Sequence, residues 1–374
     1  MMKAAVICEF NPFHNGHKFL LEKIKESYAD EIICIMSGSC VQRGSLAITD
    51  KYTRAETALR NGADMVVELP TVYAMSSARP FAESGVRIAE QLGCEVLCFG
   101  AESELSVLRK LKDACEDNAV NAIVKQKMDA GLYYPRALSE AVNEVCGAAL
   151  SQAIMKPNNI LALEYIRACR TIRPIAIERK DAMHDSTTAS DTITSGKDIR
   201  RMILSGESYD TYTPMTVTHP ADERRIEGAL LYRLKTMPHE KLSAIAGVSE
   251  GLEYRVKECA TKYNSIEEIL EHLKTKRYTR SRLRRILYDA LLGVTGRMQQ
   301  TPVPYLRVIG VKKEKSELIP SAGPMAVVKV KADYEKLDNS AKEIFDVDIR
   351  ATELMNIAQD AVPINEFSRG LIKG

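Results

Sequence analysis

Apolar positions in the first half of the chain fall into short Val- and Ile-rich runs, separated by stretches in which apolar residues recur every three or four positions. Runs at 3–8, 31–36, 64–69 and 95–99, with 174–178 as a fifth, have the length and composition of buried strands. Between the first two, Phe19, Leu20, Ile24 and, after a polar face, Tyr28 keep the spacing of an amphipathic helix that begins near His17. Strands that alternate with helices predict an α/β fold with a Rossmann-like parallel sheet. Residues 104–155 read as helices, from Leu105, Leu108 and Leu111 and then Val120, Ile123, Val124 and Met128, and form a helical insertion between the fourth and fifth strands. Beyond Ile203 the pattern changes. Helical spacing dominates at 224–236, 265–274 and 280–292, and clear strands return only at 305–311 and 325–330. The expected division is residues 1–204 for the sheet domain and 205–374 for a mainly helical C-terminal domain, with the polar stretch 205–214 as linker.

Composition narrows the classes. A chain of 374 residues exceeds the ~250–300 at which single cores stop growing. With 45% apolar and 27% charged residues, and no apolar run near the ~18 that a membrane span needs, a soluble globular protein is expected. Cys8 runs directly into Glu9-Phe10-Asn11-Pro12, unlike a secretory signal, so a cytoplasmic location is expected. The nine cysteines form no C-x-x-C pair and read as small buried hydrophobes, so no metal site is expected from them. A net charge of +2 is too small to imply a polyanionic partner by itself, so the placement of the charges matters.

The first strand leads straight into Phe13-His14-Asn15-Gly16-His17. A strand, a tight turn and a helix start present unpaired N–H groups and a positive helix end, a natural place for phosphate. Two imidazoles there can donate to phosphate oxygens, and such donors favour a pentavalent phosphorus with its greater equatorial charge. His14 and His17 are the expected catalytic pair, for transfer of a nucleotidyl group from ATP. Pro12 restricts the turn, and Gly16 allows close backbone approach. A second segment, Thr194-Ser195-Gly196-Lys197-Asp198-Ile199-Arg200, again opens a helix, with Ser195 as cap and Arg200 facing phosphate. Met36-Ser37-Gly38 leading to Gln42-Arg43-Gly44, and Phe99-Gly100-Ala101-Glu102, stand where strand ends reach ligands in open α/β sheets. Lys156-Pro157-Asn158-Asn159 puts two amides at a helix start, one as cap and one within reach of nucleotide. His184-Asp185, after Arg179-Lys180, reads as a loop salt bridge or a general-base pair.

In this order, these pieces resemble the bacterial tRNA(Met) cytidine acetate ligase family, within the nucleotidyltransferases that carry an HxGH turn. The resemblance runs through Glu9–His17, Met36-Ser37-Gly38, Gln42-Arg43-Gly44, Val67-Glu68-Leu69-Pro70, Phe99-Gly100, Lys156–Asn159, His184-Asp185 and Lys274-Thr275-Lys276-Arg277-Tyr278-Thr279. Cys40 stands where the family usually carries an aromatic residue, and Lys197 where its closing segment has threonine. The resemblance implies that acetate attacks the α-phosphate of ATP to give acetyl-adenylate. The wobble cytidine of elongator tRNA(Met) then takes the acetyl group as N4-acetylcytidine. It also implies an ATP site built from Ile7, Cys8, Glu9, Phe10, Asn11, Pro12, Phe13, His14, Asn15, Gly16, His17, Lys18, Phe19 and Leu20, joined by Gly100, Asn159 and Arg179; from the helix starts described above, Asn158, Ser195 and Arg200 are added as candidates. Magnesium is the expected counter-ion of the triphosphate.

Between Lys274 and Arg285 stand seven basic residues and no acid, with Tyr278 interleaved. Leu283, Ile286 and Leu287 anchor one side of the predicted helix, so Lys274, Lys276, Arg277, Tyr278, Arg280 and Arg284 are the expected tRNA contacts, through phosphates and base stacking. The competing reading is a small-molecule adenylyltransferase acting on a phosphorylated cofactor precursor, which needs the turn but not the basic segment.

Overall fold

The computed structural model describes residues 1–178, 192–249, 251–275, 277–319 and 326–374. The chain opens with β1 (Lys3–Cys8), α1 (Asn15–Ser27), β2 (Glu31–Ser37), a hairpin of β3 (Cys40–Val41) and β4 (Ser45–Leu46), then α2 (Lys51–Arg60), β5 (Met65–Leu69), α3 (Thr71–Ala74), α4 (Ala78–Gln91) and β6 (Val96–Ala101). Four helices follow as the insertion: α5 (Leu105–Glu116), α6 (Asn118–Asp129), α7 (Tyr134–Cys146) and α8 (Ala148–Ile154). The sheet resumes through α9 (Pro157–Ala168) and β7 (Arg173–Glu178), and then α10 (Gly196–Ser205). A helical region contains α11 (Arg224–Thr236), α12 (His239–Ser243), α13 (Leu252–Lys262), α14 (Ile266–Leu273), α15 (Arg280–Leu292) and α16 (Gly296–Gln300). The chain closes with β8 (Leu306–Val311), β9 (Ala326–Val327), α17 (Val330–Tyr334), α18 (Asn339–Ala358) and β10 (Ile372–Lys373).

The main sheet runs β10-β8-β5-β2-β1-β6-β7, with β9 beside β8. All its pairings are parallel except β5 with β8. Every residue of β2 and β5 is buried, as expected for central strands covered on both faces. The α/β class and the helical insertion match the sequence pattern. Strands β8 and β10, from the second half of the chain, extend the sheet first built by residues 3–178, so the change in periodicity near residue 205 marks the start of a helical region but does not cut the sheet. Among the described residues of the segment 325–330, Ala326–Val327 pair as a strand.

Two local expectations are corrected. α1 begins at Asn15 rather than near His17, and it buries Leu21 and Ile24 while Tyr28, its C-cap, lies outside the helix and is exposed. The stretch 205–214 is no loose linker: Asn15 N–H donates to Tyr212 O at 3.0 Å, and the Thr213 hydroxyl donates to Phe13 O.

A buried charge cluster fastens the late segments to the early ones. Lys51 lies 2.7 Å from Glu68 and 2.9 Å from Glu366, and Arg307 pairs with the same two carboxylates. The two cations and two anions come from α2, β5, β8 and the C-terminal tail, and none has a side chain more than 2% exposed. Removing one member would strand its partners in a medium that cannot solvate them.

Candidate active site

The strand order reverses between β1 and β6: the chain builds outward through β2 and β5, then returns to the other side of β1. Ligands in open α/β sheets bind in the crevice at such a switch point, outside the carboxyl ends of the strands. The turn from β1 into α1 and the end of β6 at Gly100 flank this crevice.

His14 is the N-cap of α1. Its Nδ1 accepts the Gly16 N–H at 3.1 Å, and the Nδ1 of His17 accepts the His14 N–H at 3.2 Å, an imidazole version of the capping box. Because both Nδ1 atoms accept backbone hydrogens, each neutral ring carries its proton on Nε2, the tautomer that donates to an incoming anion. The rings stack with centroids 3.7 Å apart, and Phe10 and Phe13 pack edgewise behind them. Phe10 holds a φ of 46°, a left-handed conformation that costs a non-glycine residue about 1–2 kcal/mol and is retained by burial of its ring. Gly16 allows a close approach, since a Cβ there would lie 3.0 Å from His14 Cε1 and crowd the ring.

The second segment lies directly against the first. Ser195 caps α10 by accepting the Asp198 N–H at 3.1 Å, and its hydroxyl donates to the Asp198 carboxylate. A Cβ on Gly196 would lie 3.3 Å from Asn11 O and 3.7 Å from His14 Cδ2, so the N-termini of α1 and α10 converge on one place. Arg200 completes the junction by donating to Asn11 O at 2.5 Å. Two helix ends and two imidazoles make this an anion-attracting geometry. Asn15 serves the frame: its amide donates to Thr192 O and Thr211 O, each at 2.9 Å.

Both amides of Lys156–Asn159 hold the exit of β6, and neither caps α9, whose N-cap is Lys156. Asn158 donates to Glu102 Oε1 at 2.6 Å; Asn159 accepts the Glu102 N–H at 3.0 Å and donates to Ser103 Oγ at 2.8 Å. Arg179, Lys180, His184 and Asp185 lie outside the described residues.

On the opposite side of β1, Glu9 is half-buried within electrostatic reach of three arginines. Burial raises its carboxyl above the usual range, against the opposing pull of the Gln42 N–H, which it accepts at 2.7 Å, and of Arg54, Arg200 and Arg43. The sequence reading missed Arg54. This fully buried guanidinium donates to Glu9 O at 2.7 Å, Ser37 O at 3.0 Å and Gly38 O, tying the ends of β1 and β2 together. Nothing in the spacing of α2 marks it, because its partners are carbonyls that come together only in the folded sheet.

The basic segment differs from its sequence expectation in which partners it meets. Arg280 pairs with Glu271 at 2.8 Å and with Glu267, and Arg284 with Glu223 at 2.6 Å and with Gly44 O at 2.9 Å. Arg285 donates to Gln42 O at 3.0 Å. The acids absent from the run are supplied by other elements, and part of the basic face turns toward the β3–β4 hairpin. Tyr278 is buried at 6% exposure with Arg282 over its ring, so it offers no open stacking face in this conformation. Arg277 lines a cleft of about 410 Å³ with Arg255, Thr275, Tyr278 and the Ala130-Gly131 turn of the insertion. Lys274 is exposed, and Lys276 lies outside the described residues.

A family model described as HIGH nucleotidyl transferase matches residues 1–369. The chain is 32% identical to the tRNA(Met) cytidine acetate ligase of Acetivibrio thermocellus, over 95% of this chain and 94% of the relative. It is 37% identical to that of Listeria monocytogenes serotype 4a, over 84% of each. The crystal structure of Thermotoga maritima TmcAL bound with alpha-thio ATP superposes with a TM-score of 0.89 at 26% identity, covering 100% of both chains. Turn, closing helix, sheet order and full-length similarity agree, and the chain belongs to the tRNA(Met) cytidine acetate ligase family of HIGH nucleotidyl transferases.

Proposed function

We propose that this chain is an ATP-dependent ligase that activates acetate as acetyl-adenylate and acetylates the wobble cytidine of elongator tRNA(Met). The convergence of the α1 and α10 N-termini with His14 and His17 at the sheet's switch point carries this reading. In the first step an acetate oxygen bonds to the α-phosphorus, and the bond to the leaving pyrophosphate breaks. The two Nε2–H donors and the helix ends meet charge that grows on the phosphoryl oxygens, which lowers the barrier more than it tightens ground-state binding. In the second step the cytidine N4 amine attacks the acetyl carbon, loses a proton and expels AMP.

Residues 7–20 form the nucleotide cradle in this reading, with Gly100 toward the nucleoside, Asn159 holding the exit of β6 beside it, and Ser195 and Arg200 toward the phosphates. Magnesium would accompany the triphosphate. Among the described residues there is no group of three or more His, Cys, Asp or Glu that could hold a metal ion. Lys274, Arg277 and Arg280 border the face offered to tRNA. No helix among the described residues is long and apolar enough to cross a membrane. The test is pyrophosphate release from magnesium ATP. Release that depends on acetate, with acetyl-adenylate recovered in the absence of tRNA, is expected; release that ignores acetate would overturn the reading.

A further inference from the structure

The residues above provide for the phosphates from the α1 and α10 side and for the nucleoside from the β6 side. Beyond the end of β2, the strand beside β1, stands the β3–β4 hairpin. Its root is fixed to the nucleotide turn: Gln42 N–H donates to Glu9 Oε1 at 2.7 Å, and Ile48 N–H to Asn11 Oδ1 at 2.7 Å. Its outer side is fixed to α15 by Arg284, which donates to Gly44 O, and by Arg285, which donates to Gln42 O. Gly44 has a φ of 74° and packs against the α15 backbone so closely that no side chain fits.

Between these clamps stands Arg43, at the tip. It is exposed and has no hydrogen-bond or ion-pair partner among the described residues, yet it lies near enough to Glu9 and Arg200 to act on both charges. Of the neighbouring arginines, Arg54 is committed to backbone carbonyls and Arg284 to Glu223 and Gly44, while Arg200 stands on the phosphate side, anchored to Asn11 O. An uncommitted guanidinium on a doubly anchored tip, close to the nucleotide turn through Glu9 and Arg200, is suited to a small anion.

We propose that Arg43 binds the carboxylate that is to be activated and presents its oxygen to the α-phosphorus. The inference rests on the adenylate-forming reading. An arginine fork matches a planar carboxylate through two parallel N–H···O bonds, which orients the acid as well as holding it. The hairpin's fixed root and flank keep the fork in place before substrate arrives, so little ordering cost falls on binding.

The experiment compares wild type, Arg43→Ala and Arg43→Lys in acetate-dependent pyrophosphate release, varying acetate and ATP separately. Loss of a charge-assisted pair is expected to raise the acetate KM about ten- to a hundredfold in Arg43→Ala, with the ATP KM changed by less than about twofold. Arg43→Lys should fall between them, since it restores charge without the fork, and added guanidinium should recover part of the Arg43→Ala loss. A raised ATP KM with an unchanged acetate KM would assign Arg43 to the phosphates and overturn the proposal, as would no change in either. A wild type whose pyrophosphate release ignores acetate would instead sink the parent reading of the function.

Discussion

Replacing Gly44 with alanine puts one methyl group where α15 leaves no room. The new Cβ would sit 2.4 Å from the Arg285 backbone nitrogen and 2.8 Å from the Arg284 carbonyl carbon, both helix backbone that cannot swing aside. Two costs add. Holding an L-residue at a φ of 74° costs about 1–2 kcal/mol, and forcing an extra carbon into a packed contact costs about 1–3 kcal/mol. If the hairpin stays in place, Gly44→Ala is therefore about 2–5 kcal/mol less stable, read as a lower urea midpoint at unchanged slope. If the hairpin instead backs away from α15, the stability loss shrinks, but the Gln42–Glu9 bond stretches and Arg43 moves off the crevice. The acetate KM should then rise toward that of Arg43→Ala while tRNA affinity, measured by filter binding, also falls. Either result shows that the hairpin is clamped between the nucleotide turn and the basic helix. A variant within about 0.5 kcal/mol of wild type, with unchanged kinetics and tRNA binding, would refute the reasoning.

Three further outcomes follow from the same geometry. His17→Ala removes the acceptor of the His14 N–H and one phosphate donor, so pyrophosphate release should drop at least about a hundredfold while tRNA affinity stays near wild type; equal loss of both would argue against separate sites. Glu366→Gln leaves Lys51 and Arg307 short of one carboxylate. Burial opposes ionisation of Glu366, but Lys51 and Arg307 outweigh it and hold its carboxyl below the usual range, so the variant should lose about 3–5 kcal/mol near neutral pH and progressively less on acidification; a loss independent of pH would contradict the cluster's electrostatics. Burial, with Glu68 adding to it, pushes the Asp348 carboxyl up to about 6. A raised acid favours the fold at pH below its unfolded value near 4 and loses that contribution as pH rises through 6. The stability difference between wild type and Asp348→Asn should therefore shift by about 3 kcal/mol in favour of the variant from pH 4 to 8, and a flat difference would contradict this.

The features legible in the sequence are those whose cause is local. The strand at Lys3–Cys8, the helices Arg224–Thr236 and Arg280–Leu292, and the turn with His14, Gly16 and His17 are set by periodicity and spacing over a few residues. What was not legible depends on partners far along the chain. Thr211–Thr213 read as linker because polar residues in sequence look alike whether they face water or cap a distant carbonyl. Arg284 read as an open cation because its acid, Glu223, lies 61 residues away. Arg54 gave no signal, but Glu68 did: a carboxylate inside the apolar strand Met65–Leu69 calls for a buried cation, and Lys51 and Arg307 supply it. Tyr278 shows the converse, since an aromatic among basic residues suits base stacking and a helix–helix core equally well.

The most direct test of the central claim is to incubate the protein with magnesium ATP, labelled acetate and bulk bacterial tRNA, then digest the tRNA and separate its nucleosides. Label in N4-acetylcytidine, dependent on ATP and lost in His17→Ala, is the expected result. Label in neither acetyl-adenylate nor tRNA would contradict the account.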